Sequence, residues 1–360
     1  MARFQILSLI GGGIRGAFVT SYLAELEQKL GRPIAECFDL IAGTSTGGII
    51  AAGLALGRSA EQMNDFYKDY GKQIFSPRSK YKASGLMRFA FPVANKVFKW
   101  KTGGDLSSAF RANFCPFALE EAFEAAFQGK TLKDVNKTRL ILPTLNLTDG
   151  EPHVFRSLHL PKAVHDQDVK IAEAVIASTA APTYFPHRRI NGKDYVDGGL
   201  WANDPSLLGF AEAIRIQYFD QHHNERDADD PLSYEIDGIH VLSIGTGKAQ
   251  SSLAPPGPDA GLLYWAPRVA DVMGTAQTQG VHLPLKFLLG EKYMHVNFKM
   301  EELWPLDATE FIPELFKIGH QRAEENFEKV NERFFDHKRE QFTPFTSADE
   351  EIKLEEFGFH

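Results

Sequence analysis

Gly43-Thr44-Ser45-Thr46-Gly47 sets a serine between two glycines in a Gly-x-Ser-x-Gly spacing. A serine hydroxyl presented on a sharp strand-to-helix turn can attack an acyl carbonyl, and the flanking glycines remove side chains that would clash there. A serine needs a base. Asp197, in Tyr195-Val196-Asp197-Gly198-Gly199, is carried by a short strand into a pair of glycines. Buried at a strand end, its carboxylate could accept the Ser45 proton. The tetrahedral intermediate also needs donors for its oxyanion. Gly11-Gly12-Gly13-Ile14-Arg15-Gly16 packs glycines closely enough for backbone N–H groups to face an anion.

Gly11, Gly13 and Gly16 also satisfy Gly-x-Gly-x-x-Gly, which invites a dinucleotide reading. That reading requires an acidic residue at the end of the next strand, to hold a ribose. Here the next strand ends in Ile41-Ala42-Gly43, with Asp39 at its start. A phosphate loop of the Gly-Lys-Ser/Thr kind is absent as well. The remaining anion is the oxyanion formed beside Ser45, with amides near Gly12 and Gly13 as donors. Arg15 could brace the loop or meet a leaving phosphate. The competing class is a catalytically silent nucleotide- or lipid-binding module built on Gly11–Gly16, against which Ser45 and Asp197 stand in matching contexts.

A Ser–His–Asp triad is the rival within hydrolases. Its chain order would put a histidine after Asp197, where His222, His223, His240, His282, His295, His320, His337 and His360 lie. None sits in a glycine-rich turn after a strand, and His187 precedes Asp197. The expectation is a Ser45–Asp197 dyad, with no metal or other cofactor: no His/Cys/Asp spacing of the zinc kind occurs.

Elements must position these groups. Phe4–Ile10 reads as a buried strand and Gly16–Leu30 as a helix with apolar residues at helical spacing. Phe38–Ala42 reads as a second strand, followed by an apolar helix through Leu56. Strand, glycine turn and helix, repeated, predict an α/β fold with a largely parallel sheet. Further along, Leu119–Phe127 and Ile171–Ser178 read as helices. Thr138–Leu147 reads as a strand, irregular or at an edge because of Pro143. Ile190-Asn191-Gly192-Lys193 is a hairpin turn, His240–Ile244 a strand, Ala249–Gly261 a loop and Glu314–Phe335 a long amphipathic helix. No repeat or interdomain linker is visible. Residues 4–206 are expected to form the catalytic core, 207–335 to continue the same domain and 336–360 to form a tail.

The net charge of −8 disfavours a nucleic-acid polymer as partner. Two cysteines, Cys37 and Cys115, are too few for a disulfide framework and fit a reducing cytoplasm. The apolar run from Phe4 to Ile10 is too short for a signal peptide, and no stretch approaches a membrane span. Residues 72–101 hold eight cations and no carboxylate, interleaved with Phe, Tyr, Met and Trp. That segment could be a solvated basic loop, a peripheral membrane contact acting as a lid over Ser45, or a site for a small anionic effector.

Together, Gly11–Gly16, Gly43–Gly47 and Asp197–Gly199 resemble the patatin-like phospholipases. That family's pattern is a Gly-Gly-Gly-x-Arg-Gly oxyanion loop, a Gly-x-Ser-x-Gly elbow and an Asp-Gly-Gly/Ala box, in this order. Ala177–Pro186 and Leu242–Gly247 are similar to family segments too, so the resemblance covers about residues 4–250. Ile10 stands where many members carry an acidic residue. The resemblance implies a three-layer fold with a central, mostly parallel sheet flanked by helices. It implies Ser45 and Asp197 as the catalytic dyad. It implies Gly11, Gly12, Gly13, Arg15 and Gly16 around the oxyanion hole, with Gly43, Gly47, Gly198 and Gly199 supporting the motifs. The implied reaction is hydrolysis of membrane phospholipid acyl esters, by a cytoplasmic protein acting peripherally on the inner membrane. Phe38–Gly48 also looks like the stretch found in bacterial patatin-like effectors that cyclic dinucleotides activate in anti-phage defence. A homo-oligomer is compatible with that group, with the helix at 314–335 either its surface or packed on its own domain.

Overall fold

The computed structural model describes residues 3–74, 114, 116–222, 236–249, 261, 265, 269–302, 304–339 and 341–345. Most of the basic–aromatic stretch and of the Ala249–Gly261 loop lies outside these residues. So does the end of the tail.

An eight-stranded sheet organises the molecule. Its strands are β1 (Phe4–Leu9), β2 (Leu40–Gly43), β3 (Arg139–Asn146), β4 (Glu151–Arg156), β5 (Arg188–Ile190), β6 (Lys193–Asp197), β7 (Ile239–Ile244) and β9 (Tyr293–Val296). A small parallel pair, β8 (Lys248–Ala249) with β10 (Lys299–Met300), stands apart. The run β9-β7-β1-β2-β3 is parallel throughout, while β4, β5 and β6 are joined by antiparallel pairings. β1 is buried along its whole length, as its mostly apolar FQILSL run predicts, with Gln5 and Ser8 buried too.

Alternate residues of these strands feed two cores. Leu7, Leu9, Ile41, Leu140 and Leu242 join a large cluster with α1 (Gly16–Leu30), α2 (Thr46–Ala55), α3 (Ala60–Ile74), α4 (Pro116–Phe127) and α5 (Ile171–Thr179). Ile6, Leu40, Ala42, Ile141 and Val241 join a second cluster with α7 (Ser206–His222) and α8 (Val269–Leu289). Helices therefore cover both faces, and the expected three-layer α/β arrangement is the observed one. α6 (Gly199–Ala202) is a single turn between β6 and α7.

β3 is where the layout departs from expectation. It is one long strand through Pro143, but not an edge strand. β4 pairs with Ile141–Asn146 along one side. On the other side β2 pairs only with Arg139, Leu140 and Ile141, and β6 only with Thr144, Leu145 and Asn146. Because β2 is parallel to β3 and β6 antiparallel, their C-terminal ends meet head to head. Pro143 occupies the changeover, where a proline's missing N–H costs no ladder bond.

The hairpin turn forms as its sequence predicts, with Asn191 and Gly192 at φ 49° and 83°. The last long helix, α9 (Ile312–Val330), lies against α1, and Ser21 Oγ donates to the Phe316 carbonyl at 2.7 Å. Its apolar side is thus used within the chain. Gly319 makes this approach possible, since a Cβ there would sit 2.6 Å from the Phe18 carbonyl oxygen. Gly319→Leu is expected to force the two helices apart and to lower unfolding stability by about 1–3 kcal/mol. Denaturant unfolding followed by circular dichroism would measure it.

Candidate active site

The junction on β3 delivers both reactive groups. β2 ends at Gly43, Thr44 and Ser45 make the turn, and α2 begins at Thr46. Ser45 sits at φ 54° and ψ −126°, a left-handed backbone that a non-glycine residue adopts only under constraint. The constraint is visible on every side. The Thr44 amide donates to the Leu9 carbonyl at 3.2 Å. The Thr44 hydroxyl donates to the Ala202 carbonyl at 2.6 Å. The Ser45 amide donates to Ser178 Oγ at 3.3 Å, and Ser178 in turn donates to the Pro143 carbonyl at 2.8 Å. The glycines either side supply clearance: a Cβ on Gly47 would lie 2.1 Å from the Leu9 carbonyl oxygen, and one on Gly43 would lie 2.3 Å from that of Gly47. Ser45 is partly exposed although its immediate neighbours are buried.

Asp197 ends β6 opposite Thr144, and its amide donates to the Ala180 carbonyl at 3.1 Å. Its carboxylate accepts the Gly199 amide at 2.7 Å, and the Ser45 hydroxyl lies close enough to lower its pKa. Burial pushes the Asp197 pKa up to about 6, against the lowering effect of those two groups. Gly198 lets the chain turn against β3, since a Cβ there would lie 2.2 Å from the Pro143 carbonyl oxygen. Trp201 Nε1 fixes the following turn by donating to the Thr144 carbonyl at 2.9 Å.

The glycine loop completes the cluster. A Cβ on Gly11 would lie 3.1 Å from Ser45 Cβ, so the loop passes directly beside the serine. The Gly11 amide is taken by the Asn203 carbonyl, that of Ile14 by Leu306 and that of Gly16 by Gly13 and Ile14. Among the described residues no acceptor takes the amides of Gly12 or Gly13, so these two are available to a ligand. Gly13, at φ 58°, needs its glycine. Of the expected oxyanion group, Gly11 and Gly16 therefore serve differently. Gly11 spends its amide on Asn203, and Gly16 leaves room for Thr46 and Tyr67, whose hydroxyls hydrogen-bond each other. Buried Arg15 donates from Nε to the Gly12 carbonyl at 3.2 Å, which favours the bracing role over contact with a phosphate.

Several contributors were not singled out by residue type. Ser178 links the elbow to β3, and Thr246 donates to the Gly11 carbonyl at 2.9 Å. Asn203 meets the loop, and its own amide donates to Gln277 of α8 at 3.1 Å. Ser178 and Thr246 fall in the Ala177–Pro186 and Leu242–Gly247 stretches, whose family resemblance was the available signal. The histidine rival finds no support: among the described residues no histidine is hydrogen-bonded to Ser45 or Asp197. His187 faces Asp194, His320 faces Glu25, and His337 faces Asp39.

The profile of the patatin-like phospholipase family matches residues 7–208, and the chain belongs to that family. It is 36% identical over 260 residues to a cGAMP-activated phospholipase of Vibrio cholerae serotype O1, a match covering 70% of this chain and 66% of that protein. A cGAMP-activated phospholipase of Pseudomonas aeruginosa is 32% identical, with 82% of this chain and 78% of that protein covered. Patatin-like protein 4 of Arabidopsis thaliana is 32% identical, with 68% and 60% covered. The chain thus spans roughly two thirds of the length of several of the curated relatives it matches.

The raised Asp197 pKa has a consequence for stability. In the unfolded chain the group titrates near 3.8, in the folded one near about 6, so between these values the folded protein holds a proton that the unfolded chain has lost. Raising the pH through that window therefore removes stability, by up to about 3 kcal/mol. Asp197→Asn lacks this loss. Its stability relative to the unsubstituted protein should rise as pH climbs from 4 to 7, in unfolding series at several pH values.

Proposed function

We propose that this chain is a serine lipid acyl hydrolase that cleaves fatty-acyl esters of membrane phospholipids. The observation that carries the reading is the Ser45 hydroxyl placed beside a buried carboxylate whose pKa is raised to about 6. At neutral pH that group is ionised yet more basic than a solvated aspartate, which suits a general base.

Ser45 Oγ attacks the acyl carbonyl carbon while its proton passes to Asp197. The carbonyl oxygen becomes an oxyanion, faced by the amides of Gly12 and Gly13 and by the N-terminus of α2. Collapse of the intermediate breaks the ester bond. The departing alkoxide of the lysophospholipid takes the proton from Asp197, leaving an acyl-serine. Water, deprotonated by Asp197, attacks that acyl group and releases the fatty acid, and the proton returns to Ser45. Since Ser45 already occupies a strained backbone held by three neighbouring elements, the nucleophile is oriented before substrate arrives.

The activity would act at a membrane surface, where its phospholipid substrate lies; among the described residues no helix is long and apolar enough to cross a membrane. Activation by a cyclic dinucleotide is supported by the two bacterial relatives described as cGAMP-activated phospholipases. Its role would be that of a signalling effector.

Ser45→Ala and Asp197→Asn should each lower phospholipid hydrolysis on vesicles by at least about 10³-fold while leaving the fold intact. The pH profile of kcat/KM should rise through about 6, the pKa of Asp197. Lipid mass spectrometry reads both, and adding a panel of cyclic dinucleotides reads the switch. A Ser45→Ala protein with undiminished hydrolysis would overturn the reading.

A further inference from the structure

α8 carries an apolar face that no described element covers. Its inner side is ordinary: Leu285 and Leu289 are buried in the core under the sheet, and His282 Nδ1 meets the Tyr293 hydroxyl at 3.4 Å. The outer side is not. Met273, Leu283 and Leu288 are each about half exposed, and Phe287 is 88% exposed. With exposed Ala276, these residues recur at helical spacing along one side. Gly280 and Pro284 fall on the same arc and are exposed too. The strip runs about 24 Å along the helix. Scattered single apolar residues on a surface are normal, but a continuous strip with an almost fully exposed phenylalanine marks a binding face.

Three observations say what binds there. The first is charge: residues 272–289 contain no carboxylate, and Lys286 at the flank is their one permanent charge. A strip without anions beside a lysine suits an anionic lipid surface. The second is chemistry. The exposed side chains are aliphatic and aromatic, flanked by Thr275, Gln279 and Lys286, which is the division of an interfacial helix lying in the headgroup plane. The third is position. The same helix reaches the catalytic turn: Gln277 accepts the Asn203 amide and donates from Nε2 to the Leu200 carbonyl at 2.8 Å. Leu200 and Asn203 follow Asp197 by three and six residues. The exposed face therefore belongs to a helix that is tied to the turn after Asp197, with Phe287 about 15 Å further along it.

We propose that the exposed face of α8, centred on Leu283 and Phe287, is where the protein seats itself on a phospholipid bilayer. This rests on the phospholipase reading for its biological sense, although the binding itself needs no catalysis. Seating by α8 would couple the arriving lipid surface to the turn that holds Asp197.

The test measures partitioning of the full chain onto vesicles of phosphatidylethanolamine and phosphatidylglycerol, in a Ser45→Ala background so that lipid is not consumed. Phe287→Ser should weaken partitioning about tenfold or more, and Leu283→Ser should act in the same direction. With Ser45 restored, both variants should hydrolyse a soluble short-chain ester at the unsubstituted rate and lose hydrolysis on vesicles, which separates lost docking from lost folding or chemistry. Unchanged partitioning of both variants would overturn the proposal. So would a concentration-dependent self-association that Phe287→Ser abolishes while vesicle binding persists, since the face would then belong to a second copy. Failure of the phospholipase reading shows elsewhere, as hydrolysis that survives Ser45→Ala.

Discussion

Two strands share one edge of β3, and the account depends on their meeting there. β2 runs parallel and leaves after Ile141, while β6 arrives antiparallel and begins to pair at Thr144. Their C-terminal ends come together because neither can continue past the other. Ser45 lies just beyond one end and Asp197 at the other, so a hydroxyl and a carboxylate 152 positions apart in the chain become close neighbours. The parallel core then adds β1, whose end feeds the Gly11–Gly13 loop to the same side of the sheet. Placing ligands beyond the carboxyl ends of parallel strands is the general habit of such sheets. Here an antiparallel strand brings its own carboxyl end to the same point.

Close approach is the second constraint. The elbow, the loop and the turn after β6 crowd within van der Waals contact, and backbone carbonyls of Leu9, Gly47 and Pro143 stand where side chains would be on Gly47, Gly43 and Gly198. Each glycine gives up conformational restriction in the unfolded chain in exchange for that proximity. The polar groups displaced by the crowding are nearly all satisfied by one another, through Thr44, Ser178, Asn203 and Thr246. Among the described residues the amides of Gly12 and Gly13 take no acceptor, and the Ser45 hydroxyl lies beside the buried Asp197 carboxylate. Backbone donors left free in this way are preorganised for negative charge that develops beside them.

Much of this was readable in the residues. A serine between glycines after FDLIA, an aspartate before two glycines, and an opening glycine loop are local patterns, and locality is what a sequence displays. The strand–turn–helix units around them followed from apolar runs broken by glycine. Other parts were not readable because they are long-range. Nothing local to Pro143 shows that two different strands abut there, so an edge position was a reasonable inference. Gly16 belongs to the loop motif, yet its purpose is room for Thr46 and Tyr67, which only the packing of α1 on α2 and α3 reveals. β9 and α8 lack strong periodicity: YMHV is four residues long, and α8 is apolar on two sides because it has a buried face and an exposed one. A helix with two apolar faces looks from sequence like a helix with one broad face.

The claim at the centre is that Asp197 activates Ser45 by accepting its proton, and a fluorophosphonate that reacts only with an activated serine tests it most directly. Labelling rate against pH, with the adduct located by mass spectrometry, is the measurement. The account predicts a single adduct on Ser45, formed at a rate that falls away below pH about 6 and collapses in Asp197→Asn. An adduct on another serine, or Ser45 labelled as fast without the Asp197 carboxylate as with it, would contradict it.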